Sequence, residues 1–188
     1  PELPAATDEL PPAARLPAAF GYEAYALGRR DHKLLFEMQV GFARHFAGCR
    51  HVLDLGCGTG VFLEVLARRE IPAVGVERNV ISAGFARSLG HEVVCEDALE
   101  FLETTTGSFD GLYCSHFIEH LPVDAAERLL QGVARVLAQD GLVVFVFPDP
   151  ESIRSQLLGF WRDPEHVRFY HPELVELLWA AGAGLGHA

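Results

Sequence analysis

Val52-Leu-Asp-Leu-Gly-Cys-Gly-Thr-Gly60 is a short apolar run with one acidic residue, Asp54, that passes into Gly56, Gly58 and Gly60 and then into an amphipathic segment starting at Val61. A run of this length ending in glycines predicts a buried strand that turns sharply into a helix. The glycines let the backbone come close to a ligand, and the first amides of the helix point at it. A mononucleotide-like ligand therefore belongs at this strand end.

Outward from that stretch, apolar runs alternate with helical patterns. Residues 51–55, 73–77, 92–96, 109–114 and 142–147 read as strands, and residues 61–69, 80–89 and 123–138 as helices. The strands are hydrophobic throughout rather than alternately, most plainly in Leu142-Val-Val-Phe-Val-Phe147, which predicts burial on both faces. The last helical segment puts Leu129, Leu130, Val133, Val136 and Leu137 on one stripe. Strand and helix in alternation predict an α/β fold, a Rossmann-like and mostly parallel central sheet with helices on both faces. Ahead of it, Leu34, Leu35, Met38, Phe42 and Phe46 recur at helical steps and predict one helix over residues 29–46, ended by Gly48. Residues 1–19, rich in Pro and Ala, read as an N-terminal arm, and residues 20–188 as a single domain, which the 188-residue length supports.

Composition narrows the function. The formal net charge is −11 and Lys33 is the only lysine, which argues against a broad phosphate-gripping surface and so against long nucleic acids as substrate. No apolar run approaches the ~20 residues of a membrane helix, and the N-terminus lacks the layout of a signal peptide. Cys49, Cys57, Cys95 and Cys114 are scattered without a C-x-x-C pair, as expected of reduced thiols in a cytoplasmic protein.

The identity of the ligand turns on detail. Glu77 stands about twenty residues beyond the loop, where an acidic side chain of such a unit takes ribose hydroxyls. The loop lacks the G-x-G-x-x-G spacing of a dinucleotide site and the chain lacks a Tyr-x-x-x-Lys pair, which argues against a nicotinamide-dependent oxidoreductase. With Asp54 on the strand, the segment resembles the first motif of class I S-adenosylmethionine-dependent methyltransferases, D-L-G-C-G-T-G. The resemblance implies S-adenosylmethionine as cofactor and S-adenosylhomocysteine as product. It implies that Asp54 faces the methionine amino end, that Gly56, Cys57 and Gly58 lie under the methionine and ribose, and that Glu77 takes the ribose hydroxyls. It also implies that Asp97 accepts from the adenine amino group, that the Ala98 amide meets the ring, and that Cys114 and Ser115 sit beneath the sulfonium.

Gly28-Arg29-Arg30, His116-Phe-Ile-Glu-His-Leu121, Phe160-Trp-Arg-Asp-Pro-Glu-His166 and His171-Pro-Glu are similar to a subgroup of small methyltransferases of polysaccharide and O-antigen biosynthesis. In that subgroup an arginine at the position of Arg29 reaches the cofactor carboxylate. Members of the class usually continue into an antiparallel strand pair at the sheet edge, and that pair is expected to be missing here, because the sequence ends soon after Trp179.

If residues 115–121 form a helical turn, His116, Glu119 and His120 share one face beside the methyl group. Three readings follow. A neutral imidazole, with His116, His120 and His166 as candidates, acts as general base on a hydroxyl. Alternatively, His116, Glu119 and His120 hold a divalent metal, with His166 as a further ligand. Related quinone-pathway and small-RNA 2′-O-methyltransferases carry E-x-x-E-H for that purpose, from which this chain departs by having His116 in place of the first glutamate. Thirdly, Glu119 and His120 merely cap the turn before Pro122.

Residues 148–171 mix aromatics with Arg and His and read as the substrate wall. The expectation is methyl transfer to a small molecule, a hydroxyl oxygen of a sugar or glycan precursor. The alternative is a methyltransferase-like scaffold without turnover.

Overall fold

The strand-to-helix alternation forms one parallel sheet. The computed structural model describes residues 32–163 and 165–182, so the Pro/Ala arm, the expected domain start at Phe20 and the Gly28-Arg29-Arg30 segment with its candidate Arg29 lie outside the described residues. The elements are α1 (His32–Val40), a 3₁₀ turn (Phe42–Phe46), β1 (Val52–Leu55), α2 (Val61–Ala67), β2 (Ala73–Val76), α3 (Val80–Ser88), β3 (Val93–Val94), α4 (Ala98–Thr104), β4 (Phe109–Ser115), a 3₁₀ turn (Ile118–His120), α5 (Val123–Val136), β5 (Leu137–Val146) and, after irregular turns over residues 155–162, α6 (Pro172–Gly182). The strand order is β3-β2-β1-β4-β5, and every pairing is parallel.

Helices cover both faces, as the doubly buried strands require. Leu53, Leu55, Leu112 and Cys114 pack with Leu102 of α4, the stripe of α5 and Val175 of α6. Val52 and Tyr113, turned the other way, pack with Phe46 and with Phe62, Val65 and Leu66 of α2. On α5, Leu129, Leu130, Val133 and Val136 are all buried. Each such side chain contributes about 1.5–3 kcal/mol on burial.

The structure differs from the sequence reading at several element ends. The helix expected over 29–46 breaks after Val40 and resumes as a 3₁₀ turn. The helix expected to reach residue 138 stops at Val136, and the chain enters β5 at once, with Asp140 left-handed (φ 61°) and a register irregularity opposite Phe109–Gly111. β3 is shorter than the 92–96 run. Two helices, α4 and α6, lie outside the segments expected to be helical. Among the described residues, β5 is a sheet edge, and no helix is long and apolar enough to cross a membrane.

Candidate cofactor site and the histidine cluster

The loop after β1 is tied to the end of β2. Gly56 and Cys57 donate through their amides to the Val76 carbonyl (2.9 and 3.1 Å). Glu77 accepts from the Gly58 amide (2.9 Å) with one oxygen and from the Asn79 amide (2.7 Å) with the other. Asn79 in turn caps α3, accepting from Ile81 and Ser82. The carboxylate thus holds the loop and remains at the strand end with lone pairs to offer.

Gly56 is left-handed (φ 70°), and a Cβ there would meet Cδ2 of Phe117 at 2.8 Å. The ring of Phe117, which the sequence reading passed over, closes over the loop. Cys57 commits its thiol to the notch left by Gly75, where an added Cβ would meet Sγ at 2.5 Å, and its carbonyl to the Gly60 amide (2.9 Å). These contacts make Cys57 one of the residues that hold the loop.

Asp54 is only 3 % exposed, and its Oδ2 has no hydrogen-bond partner among the described residues. Burial, with the charge of Glu77 adding, pushes its carboxyl up to about 8. Asp97 caps α4, Oδ1 accepting from the Leu99 amide (2.8 Å) and the Glu100 amide (3.4 Å), and Ala98 is buried as the first residue of that helix. Cys114 points into the core against α5, where burial holds its thiol well above the ordinary range. Ser115 ends β4 half-buried.

At the end of β4 the chain turns sharply. His116 takes a left-handed conformation (φ 52°), and its amide donates to the Val146 carbonyl (2.7 Å). Such an outlier in a residue with a Cβ is held by its surroundings. Nδ1 of His116 lies 3.1 Å from Oε1 of the buried Glu119. The ring of His120 meets that of His166 edge-on, at 4.7 Å between centroids. The trio that converges therefore differs from the expected His116, Glu119 and His120. Among the described residues, Glu119, His120 and His166 bring one ligand atom each within 4.8 Å of one another, and Oε2 of Glu119 has no hydrogen-bond partner.

Phe160 and residues 166–170 are docked here by backbone and aromatic contacts. The Glu119 carbonyl accepts from the Val167 and Arg168 amides (2.8 and 3.3 Å), and the buried Tyr170 donates its hydroxyl to the Leu121 carbonyl (2.8 Å). Phe160 stacks on Phe169 (3.7 Å) and leans on His166. Nδ1 of His166 lies 2.7 Å from the Phe160 carbonyl and donates to it, because a carbonyl oxygen only accepts. Burial lowers the His120 pKa, with the Glu119 charge opposing, which keeps its imidazole neutral near pH 7.

A parallel sheet with acidic residues at the ends of β1 and β2 and an acidic cap on α4, next to a loop of left-handed glycines, defines a nucleoside-binding, Rossmann-like domain. The chain belongs to the family described as "Methyltransferase domain", whose pattern it matches over residues 13–185. A SAM dependent methyltransferase from Archaeoglobus fulgidus has the same fold with a TM-score of 0.77 and 32 % identity, over 82 % of this chain and 69 % of that one. The sugar N-methyltransferase KedS8 from Streptoalloteichus shares the fold (TM-score 0.57, 24 % identity, 73 % of this chain and 60 % of that one). The ubiquinone biosynthesis O-methyltransferase of Alkalilimnicola ehrlichii is 29 % identical over 118 residues, 58 % of this chain and 47 % of that enzyme. That of Neisseria meningitidis is 32 % identical over 104 residues, 51 % and 43 % of the two chains. The chain thus spans about half the length of the curated relatives it matches.

The family implies S-adenosylmethionine as cofactor, and the donor set fits it. That molecule presents an ammonium, ribose hydroxyls and an adenine amino group, all donors. Asp54, Glu77 and Asp97 are acceptors, and Oδ2 of Asp54 is a buried acceptor still without a donor.

Proposed function

We propose that this domain transfers a methyl group from S-adenosylmethionine to a hydroxyl oxygen of a small molecule, a sugar or glycan precursor, in the cytoplasm. Bound, the cofactor supplies an electrophilic methyl on a sulfonium. Asp54 accepts from its ammonium, Glu77 from the ribose and Asp97 from the adenine. The observation that carries the reading is the neutral, half-buried imidazole of His120 between the end of β4 and the 160–171 wall. As the acceptor oxygen takes the methyl group, its proton passes to a nitrogen of His120. His166, fixed by the Phe160 carbonyl, holds that ring in place. Phe160, Trp161 and Phe169 supply apolar wall, and Arg162 and Arg168 suit a polyhydroxylated or phosphorylated acceptor.

The test begins with calorimetry of S-adenosylmethionine, followed by S-adenosylhomocysteine release with panels of nucleotide sugars, hydroquinones and amines. His120→Ala should leave cofactor affinity intact and slow turnover about 10²-fold or more. A wild-type rate in that variant sinks the base, preference for amines replaces O- with N-methylation, and cofactor binding without turnover on any panel leaves a scaffold.

A second reading is favoured by the unpartnered, buried Oε2 of Glu119 beside His120 and His166. Two imidazoles and a carboxylate suit a divalent ion, the imidazoles favouring a borderline one such as Zn²⁺ and the carboxylate a harder one such as Mn²⁺. It would orient the acceptor oxygen and favour its deprotonation. Turnover lost on chelation and restored by Mn²⁺ supports this reading, whereas full activity in chelator removes it.

A further inference from the structure

Asp54 of β1 and Tyr113 of β4 are paired in register on neighbouring strands. Tyr113 packs on the face that Val52 also uses, and the two-residue period of a strand puts Asp54 on that face as well. Both are more than nine-tenths buried, at 3 and 1 % exposure. Neither Oδ2 of Asp54 nor the Tyr113 hydroxyl has a hydrogen-bond partner among the described residues, and they do not bond each other. Buried polar groups in native folds are almost always paired, so two orphans side by side mark a place completed by something else.

The Tyr113 ring is held rigidly. It stacks on Phe62 (3.7 Å between centroids, 26° between planes) and meets Phe46 edge-on (6.2 Å) and Phe42 at a tilt (6.0 Å). A phenylalanine would make all of these contacts, so the hydroxyl contributes nothing to packing. Burial raises its pKa, the charge of Asp54 adding and the nearby Ser115 hydroxyl opposing without completing a hydrogen bond, so it stays protonated and can donate. A fixed acceptor and a fixed donor on one face complement an amino acid's zwitterion, ammonium on one and carboxylate on the other.

We propose that Tyr113 is a cofactor-binding residue, its hydroxyl donating to the α-carboxylate of the molecule whose ammonium Asp54 accepts. This rests on the reading that the site takes S-adenosylmethionine. It gives the strand next to the glycine loop a part in recognising the amino-acid end, separate from recognition of the nucleoside by Glu77 and Asp97.

The experiment is calorimetry of the whole chain and of Tyr113→Phe with S-adenosylhomocysteine and with 5′-methylthioadenosine, which lacks the amino-acid end. The variant should bind S-adenosylhomocysteine about tenfold more weakly, bind methylthioadenosine as the wild type does, and melt without ligand no lower than the wild type. Unchanged affinity for S-adenosylhomocysteine overturns the proposal and leaves the cofactor reading standing. Equal losses for both ligands overturn it too, because the loop as a whole has then moved. A wild type that binds neither overturns both.

Discussion

Asp54 is the residue whose chemistry is most altered by its place in the fold. Its carboxyl, pushed up to about 8 by burial and by Glu77, is mostly protonated in the ligand-free protein at neutral pH. Accepting from an ammonium requires the carboxylate, so binding should release a proton. Affinity for S-adenosylhomocysteine should then rise by up to about tenfold per pH unit below 8 and level off above it. Calorimetry in buffers of different ionisation heat reads the proton directly, and affinity flat from pH 6 to 8 would refute the assignment. The stability consequence has the opposite slope. A carboxyl whose folded pKa lies above its unfolded value near 3.9 stabilises the fold fully only below about 3.9, and that contribution is lost as pH rises through about 8. Asp54→Asn should remove this part of the pH dependence of melting. The motif was legible in the sequence because glycine spacing and a lone acid on an apolar strand are local signals. The partnering of Glu77 with Gly58, and the placing of the Tyr113 hydroxyl beside Asp54, arise from contacts between segments far apart in sequence.

Among the elements, α4 is where the proposed adenine contact falls on a residue that also serves the fold. Asp97 caps the helix through Oδ1, which leaves its second oxygen for an adenine amino group. Asn caps as well as Asp but presents an NH₂ donor in place of that second acceptor. Asp97→Asn should therefore keep stability within about 0.5 kcal/mol while weakening S-adenosylhomocysteine about tenfold, whereas Asp97→Ala should also cost about 1 kcal/mol. Unchanged affinity in the Asn variant would remove the adenine contact and leave a cap alone. The cap carried its own signal, Asp97 followed three residues later by Glu100, yet the helix escaped notice because two turns are too short for a periodic stripe. The helix α6 was likewise signalled by Pro172 at its first position. The strands were easier to read, since burial on both faces leaves unbroken apolar runs. Their ends were not, because Val136–Leu137 switches from helix to strand with no breaker between them. The turn at residues 116–120 was legible as a cluster of His and Glu, but the left-handed backbone of His116 was not, nor was the docking of the later segment that brings His166 to His120.

Over the whole molecule, the site sits where the strand order reverses, between β1, which leads on to β2 and β3, and β4, which leads on to β5. One half contributes the glycine loop and Glu77. The other contributes Tyr113, the β4 turn and the wall docked on Glu119 and Leu121. The two halves share the β1–β4 pairing and an apolar core on each sheet face, so they should unfold together, and a ligand bridging them should stabilise both. S-adenosylhomocysteine at a hundred times its Kd should add about 2.7 kcal/mol. For a domain of this size that raises a single melting transition by roughly 5–10 °C. Differential scanning calorimetry with and without the ligand checks this. A scan in which the ligand moves one of two transitions and leaves the other in place would mean that the halves fold independently, with the cofactor held by the β1–β3 half alone.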